Sequence, residues 1–136
     1  MEARLLADIH AEAFDTPWDE AAFDNLLTSP GVQVSGDDQG FILTRTVGDE
    51  AEILTVAVRP SARRRGLGHK LVQAAIVSCA AWGAERMFLE VAETNVAAIA
   101  LYSSNGFEQV GLRKNYYKRA DGSSEHAKVM VLNFSQ

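Results

Sequence analysis

The sequence contains little that suits secretion or a membrane. It has one cysteine among 136 residues, which excludes an internal disulfide and leaves a zinc site without enough thiolates. No stretch reaches the ~18 consecutive apolar residues that a membrane-spanning helix requires. The segment MEARLLADIHAEAFD lacks the basic start and apolar core of a signal peptide. We therefore expect a cytoplasmic protein with no metal and no membrane contact.

Basic residues are also in the minority. Asp and Glu number 18 against 13 Lys and Arg, which gives a net charge of -5. A protein that held nucleic acid through many phosphate contacts would carry the opposite balance, so we expect no direct nucleic-acid partner. The length suits a single domain over 1–136, and a hydrophobic fraction of 47% is ordinary for a globular protein.

Hydrophobic periodicity predicts two helices followed by three strands. Apolar residues recur at helical spacing between Leu5 and Phe14. Asp19 is placed to cap a second helix, which the segment Ser29, Pro30, Gly31 ends. The segments VQV, FILTRTV and EILTVAV are then separated by the turn clusters GDDQG and GDE, which is typical of an antiparallel meander over 32–58.

The second half of the chain alternates helices and strands. An apolar stripe that includes Cys79 predicts a helix over 68–82 with this cysteine in the core, and MFLEV at 87–91 is typical of a buried strand. A further helix is expected from Val96 to about Ser104. FEQVGLRKNYY and HAKVMVLNF then predict a closing hairpin around the turn RADGSSE. Together these elements indicate an α/β domain with a mixed, mostly antiparallel sheet flanked by helices.

The segment RRRGLG at 63–68 is unexpected in an acidic chain. It follows a predicted strand and opens a predicted helix, so Gly66 and Gly68 would let backbone amides at the helix start approach an anion such as a pyrophosphate. It is not a P-loop, because Leu67 stands where that motif has lysine, and it lacks the third glycine of a dinucleotide fingerprint. A solvated basic loop is the alternative.

Arg63, Gly66 and Gly68 fit the pattern R/Q-x-x-G-x-G/A, which resembles the acetyl-CoA pyrophosphate loop of the GNAT N-acetyltransferase superfamily. The motifs LEV, N-x-A-A, ALY, GF and NYY follow in the order found in the bacterial ribosomal-protein-alanine N-acetyltransferase (RimI) family, and FDTPWDEAAF resembles its first interhelical loop. The resemblance covers nearly the whole chain and implies a GNAT fold. The N-terminal strand of that fold is expected to be short or missing, because the chain begins almost directly with the first helix.

The resemblance implies acetyl-CoA as cosubstrate, in a V-shaped opening between the strands at 52–58 and 87–91. The strand residues Val56, Ala57 and Val58 would bind the pantetheine arm, and a bulge there would free an amide to polarise the thioester. Asn95 would contact the pantetheine; the alternative is that it caps the next helix, a role that Thr94 could also fill. The implied pyrophosphate site consists of Arg63, Arg64, Arg65, Gly66, Leu67, Gly68 and His69.

Two catalytic side chains are implied by the same resemblance. Glu90 would be the general base for the acceptor amine, in an apolar setting that would strengthen it as a base. The alternative is a carboxylate that faces solvent, because Leu89 and Val91 would point the other way. Tyr102 would protonate the departing CoA thiolate, and the alternative is a tyrosine that only packs on its helix.

The implied acceptor groove lies between the first interhelical loop and the hairpin loop. Adjacent tyrosines alternate faces in a strand, so one is expected to pack and the other to offer its hydroxyl. The expected contacts, whose alternative role is to cap the sheet edge, are Trp18, Tyr116 and Tyr117. The histidines show no metal-ligand spacing and are expected at the surface, at His10, His69 and His126.

The implied reaction is direct transfer of acetyl from acetyl-CoA to the N-terminal amine of a protein, with an N-terminal alanine of a ribosomal protein as the acceptor. The expected assembly is a monomer or weak dimer. Within the same class, the alternative acceptor is a small-molecule amine or a lysine side chain. The alternative outside the class is a non-catalytic acyl-CoA-binding module, against which the presence of Glu90, Asn95 and Tyr102 argues.

Overall fold

The computed structural model describes residues 1–118 and 121–134. The tip of the predicted hairpin turn, at 119–120, lies outside the described residues. The helices are α1 (Ala3–Ala13), α2 (Glu20–Leu27), α3 (Leu67–Ala81) and α4 (Val96–Ser104). The strands are β1 (Val32–Asp37), β2 (Gly40–Val47), β3 (Glu50–Val58), β4 (Arg86–Ala92), β5 (Glu108–Lys118) and β6 (Ser124–Asn133). The predicted order of helices and strands is confirmed.

The six strands form one sheet in the order β1-β2-β3-β4-β6-β5. All neighbouring pairs are antiparallel except β3 and β4, which are parallel because α3 connects them as a crossover. This is the mixed, mostly antiparallel sheet that the sequence predicts. Among the described residues no strand precedes α1, and β1 forms one edge of the sheet.

Two hydrophobic clusters cover opposite faces of this sheet. Leu6, Ile9 and Phe23 of α1 and α2 pack against Phe41 and Leu43 of β2. The other cluster joins α3 and α4 to the sheet and contains Cys79, fully buried as predicted. Side chains of a strand alternate between these layers, and this alternation decides which residues of β3 and β4 face which pair of helices.

The parallel strands β3 and β4 are paired only at their beginnings. Glu50, Ala51 and Glu52 pair with residues 86–88, and no later pairing joins the two strands. The strands diverge beyond these pairs, and the expected V-shaped opening is present. The edge of β3 that faces β4 therefore has no strand partner beyond Glu52 in the described part of the sheet.

A β-bulge in β3 lies earlier than the sequence predicts. Leu43 pairs with Thr55 and Thr44 pairs with Ile53, so Leu54 is the extra residue. The bulge expected within 56–58 is thus wrong in position, since those residues pair regularly with β2. Because of the bulge, Leu54 and Thr55 both turn toward α1, whereas Ile53 packs on the α3 side.

Candidate active site

A cleft of about 780 Å³ lies where β3 and β4 diverge. Residues 53–56 of β3 and 89–92 of β4 form its two sides. The α1–α2 loop, α4 and the end of β5 complete the lining. The volume is in the range of pockets that hold a ligand of cofactor size.

None of the helices within residues 1–118 and 121–134 is long and apolar enough to span a membrane.

Glu90 enters the cleft from β4. Met87, Leu89 and Val91 are buried against the α3 and α4 layer, so Glu90 turns to the opposite face of the sheet. Its side chain is 21% exposed and forms an ion pair with Arg113, with an oxygen to nitrogen distance of 3.2 Å. The expected apolar setting is therefore wrong: the carboxylate faces the cleft beside a guanidinium, because β5 carries Arg113 over this face.

Tyr102 enters the same cleft from α4. It is buried and its ring lies 5.8 Å from the ring of Phe107, centroid to centroid. Burial raises the pKa of Tyr102 to about 12, because the phenolate would lose its hydration. The hydroxyl is therefore protonated throughout the neutral pH range. Tyr102 packs as a helix residue and lines the cleft at the same time.

The two adjacent tyrosines of β5 do not follow a regular strand alternation. The pairing with β6 is irregular between Arg113 and Tyr117, and Asn115 within this stretch has a φ of 53°. The rings of Tyr116 and Tyr117 consequently contact each other edge to face, with centroids 4.9 Å apart. The prediction of opposite faces is wrong for this reason.

The hydroxyls of these tyrosines have different surroundings. Tyr117 lines the cleft and donates a hydrogen bond of 3.2 Å to the backbone oxygen of Glu90. Burial, followed by the charges of its neighbours, raises the pKa of Tyr117 to about 12. Tyr116 is exposed, and the guanidinium of Arg113 lies 4.1 Å from its ring centroid. Only Tyr117 of this pair lines the cleft.

Asn95 and Thr94 stand at the start of α4. Asn95 caps the helix, because its Oδ1 accepts a hydrogen bond of 3.2 Å from the backbone N–H of Ala98. It also lines the cleft. Thr94 does not serve as the cap: its hydroxyl donates to Oε1 of Glu125 at 2.7 Å. Glu125 is buried on β6 and lines the cleft, and no motif in the sequence indicates this.

The segment 63–69 leads from β3 into α3, as the anion-site interpretation requires. Gly66 has a φ of +73° at the N-cap of α3, a conformation that glycine adopts without strain. A Cβ on Gly68 would stand 3.3 Å from Leu101 of α4, so glycine here lets the two helices approach. The side chains of Arg63, Arg64 and Arg65 are exposed, and Nε of Arg63 donates to the Val58 oxygen at 3.3 Å.

The cofactor-side strand residues divide between the two layers. Val56 and Val58 pack on the α3 side, and Ala57 is buried on the α1 side. Their side chains are thus structural, which leaves the backbone edge of β3 as the part that faces the opening. In the described ranges, no three His, Cys, Asp or Glu side chains are grouped so as to hold a metal ion.

His10 was expected at the surface and is instead buried, with 2% of its area exposed. It lines the cleft, stacks against Trp18 with ring centroids 5.0 Å apart, and bonds to Thr55. Trp18 itself is exposed at the rim. The sequence carries no signal for this contact, because Thr55 is 45 residues away along the chain. His69 and His126 are half-buried.

Comparison with known proteins shows the same architecture. The [Ribosomal protein bS18]-alanine N-acetyltransferase of Salmonella typhimurium is 37% identical over 134 residues, which cover 93% of this chain and 88% of the relative. The crystal structure of the ribosomal-protein-S18-alanine N-acetyltransferase from Escherichia coli is similar with a TM-score of 0.87 and 33% identity, covering 98% of this chain and 88% of that one.

A more distant crystal structure, Arabidopsis thaliana NAA60 in complex with acetyl-CoA, shares the fold with a TM-score of 0.85 at 18% identity, covering 99% of this chain and 94% of that one. The model of the acetyltransferase (GNAT) family matches residues 4–107, which is most of the chain. The predicted resemblance is confirmed, and this chain belongs to the GNAT acetyltransferase family as an acetyl-CoA-dependent N-acetyltransferase.

Proposed function

We propose that this enzyme acetylates the N-terminal α-amino group of a protein, with the N-terminal alanine of ribosomal protein bS18 as its acceptor. One observation carries the proposal: Glu90 of β4 and Tyr102 of α4 line a single cleft from different layers of the fold. The names of the similar bacterial enzymes support the choice of acceptor. We place the reaction in the cytoplasm, where ribosomal proteins are made.

The donor would occupy the side of the cleft formed by β3 and the start of α3. The unpaired backbone edge at Val56, Ala57 and Val58 offers hydrogen-bonding groups to an amide-containing arm such as pantetheine. The amides after Gly66 point from a helix N-terminus, which favours a pyrophosphate. Asn95 reaches the same cleft. Acetyl-CoA would supply the thioester carbonyl that the amine attacks.

The acceptor would enter from the α1 side of the sheet. Trp18 and Tyr117 line that part of the cleft, and Tyr116 stands outside it. An N-terminal amine arrives as an ammonium at neutral pH. The Glu90 carboxylate, which already pairs with the cationic Arg113 there, is suited to bind a cation of this kind.

The ammonium first releases one proton to solvent and becomes the neutral amine. As this amine attacks the thioester, one further proton must leave the nitrogen and one must reach the leaving sulfur. Glu90 accepts the proton from the attacking nitrogen at a carboxylate oxygen, directly or through water. The Tyr102 hydroxyl donates the proton to the sulfur, and its high pKa keeps it protonated until the thiolate forms. The two groups enter from opposite layers, so each can act on its own side of the diverging strands.

The first experiment measures CoA thiol release with a peptide that carries a free N-terminal alanine. The matched peptide has a blocked N-terminus and a free internal lysine. Release with the free N-terminus alone supports N-terminal acetylation. Release with the lysine peptide or with small amines alone would instead support the other acceptors, and acetyl-CoA binding without any release would indicate a non-catalytic module.

The general base is tested by Glu90→Gln. We expect kcat to fall on the order of 100-fold, because the amide cannot accept the proton, while acetyl-CoA binding persists. Glu93→Gln is the matched control, since Glu93 follows β4 but does not line the cleft. Full activity of Glu90→Gln would exclude this role.

Gel filtration of the wild type tests the expected monomer or weak dimer.

A further inference from the structure

Both ring nitrogens of His10 are engaged at the wall of the cleft. Nδ1 accepts a hydrogen bond of 3.0 Å from the backbone N–H of Trp18. A nitrogen that accepts this bond carries no proton, so the neutral ring holds its proton on Nε2. Nε2 lies 3.1 Å from Oγ1 of Thr55 and therefore donates to it. The backbone of Trp18 thus selects one tautomer of the imidazole.

The ring of His10 also supports the α1–α2 loop by stacking. Phe14 lies 4.2 Å from it, centroid to centroid, at an interplanar angle of 20°, and Trp18 lies 5.0 Å away at 24°. Phe14 and Trp18 stand at the two ends of this loop, and Phe23 of α2 meets the ring edge on. A single buried imidazole therefore holds both ends of an otherwise exposed loop.

Thr55 connects this arrangement to the donor side. It follows the bulged residue Leu54, and the bulge is what turns its hydroxyl toward α1 instead of the opposite layer. Residues 53–56 of β3 form the side of the cleft next to the proposed pantetheine edge. His10 consequently ties the loop that bears Trp18 to the strand that would hold the donor.

We propose that His10 is a positioning residue that fixes Trp18 and the α1–α2 loop against β3, so that the acceptor peptide meets a preformed wall. The inference rests on the proposed function for its kinetic consequence, but the geometry stands without it. His10 touches neither reacting group and acts through Trp18 and Thr55. Loss of the Trp18 bond should therefore affect the acceptor and spare acetyl-CoA.

The two bonds can be separated by substitution. In His10→Asn, the shorter amide can place its oxygen near the position of Nδ1 and accept from Trp18. In His10→Gln, the longer amide can place its terminus near Nε2 and keep the Thr55 bond while it loses the Trp18 bond. Thr55→Val removes the Thr55 bond at nearly constant volume and leaves the histidine.

The kinetic test compares the KM for the alanine peptide with the KM for acetyl-CoA. We expect His10→Gln to raise the peptide KM about tenfold, because the acceptor wall is misplaced, with the acetyl-CoA KM within about twofold. His10→Asn should restore most of the loss. Equal losses in His10→Asn and His10→Gln, an unchanged peptide KM, or an equal rise in both KM values would overturn the proposal.

A spectroscopic test separates this proposal from the proposed acceptor. The chain has two tryptophans, Trp18 and Trp82, and Trp82 is exposed after α3. In a Trp82→Phe background, emission reports Trp18 alone. We expect His10→Gln to shift the Trp18 emission to longer wavelength and to lower its anisotropy, because the side chain becomes more mobile. His10→Asn should leave both quantities unchanged. Unchanged Trp18 emission in His10→Gln would overturn the positioning role of His10, whatever amine the enzyme acetylates. A shifted emission together with no activity toward any N-terminal peptide would overturn only the proposed acceptor.

Discussion

Tyr102 combines a protonated hydroxyl with a packed ring, and these two roles can be separated. Tyr102→Phe keeps the ring that packs near Phe107 and removes the proton donor. We expect kcat to fall on the order of 100-fold while thermal stability changes little. Thiol release and circular dichroism melting measure the two quantities. Wild-type kcat in Tyr102→Phe would show that the leaving thiolate takes its proton from water.

His10 makes the stability of the fold depend on pH. Burial lowers the pKa of His10 from 6.5 to about 4, since the imidazolium would be poorly hydrated at this site. Between these values the unfolded chain binds a proton here and the folded chain does not. The contribution to stability is therefore complete above pH 6.5 and is lost as the pH falls toward 4, by on the order of 2 to 3 kcal/mol.

Urea unfolding at several pH values between about 7 and 4 measures this loss. The relevant quantity is the difference from His10→Asn, which cannot bind the proton at this site and keeps every other ionisable group of the wild type. We expect the wild type to lose more stability than His10→Asn over the window. His69→Gln, at a half-buried histidine outside the cleft, should follow the wild type. Parallel curves of unfolding free energy against pH for the wild type and His10→Asn would contradict the lowered pKa of His10.

The start of α4 places a helix cap and a proposed ligand contact on one side chain. Asn95→Ala removes the acceptor for the Ala98 N–H and should cost about 1 kcal/mol of unfolding free energy. Asn95→Asp keeps that acceptor but loses the amide N–H₂. If Asn95 also binds pantetheine through its amide, Asn95→Asp should retain stability and raise the acetyl-CoA KM. An unchanged acetyl-CoA KM in Asn95→Asp would show that Asn95 only caps α4 and does not bind pantetheine.

The regular elements follow from local sequence, and the irregular ones do not. The apolar stripe that contains Cys79 predicted α3 to within one residue at each end. The bulge at Leu54 escaped prediction because EILTVAV reads as an uninterrupted strand, and its cause lies in the pairing with β2. The turn at Asn115, which brings the two tyrosines together, is similarly set by β6: the Asn115 N–H donates to Nδ1 of His126.

The sequence predicted some of the side chains that line the cleft, but not the charges around them. Motif resemblance placed Glu90, Tyr102 and Asn95 in one cleft, where the structure puts them. The partner of Glu90 was not foreseen, because Arg113 lies 23 residues further along the chain and reaches the carboxylate only through the order β4-β6-β5. Long-range pairing of this kind leaves no periodic signal in a sequence.

The charge of the molecule bears on the acceptor it would attract. The proposed acceptor end of the cleft is lined by carboxylates from several elements, at Asp15, Glu90, Asp121 and Glu125. They outnumber the basic groups there, which are Lys118 and the Arg113 that pairs with Glu90, and the net charge of the chain is -5. A field of this sign speeds the approach of a cationic peptide and is screened by salt. We expect kcat/KM for an alanine peptide with following basic residues to fall several-fold between about 20 and 300 mM NaCl.

For an alanine peptide with neutral residues in place of the basic ones, kcat/KM should change by less than about twofold over the same range of salt, because only the amine of this peptide is charged. Asp15→Asn should weaken the salt dependence for the basic peptide, since Asp15 is exposed and lines the cleft. Glu2→Gln removes the same charge at the far end of α1, about 18 Å away along the helix axis. This substitution should leave the salt dependence for the basic peptide nearly unchanged. Equal effects of the two substitutions would assign the attraction to the net charge of the molecule and not to the cleft, and equal salt dependence of the two peptides would remove electrostatic selection altogether.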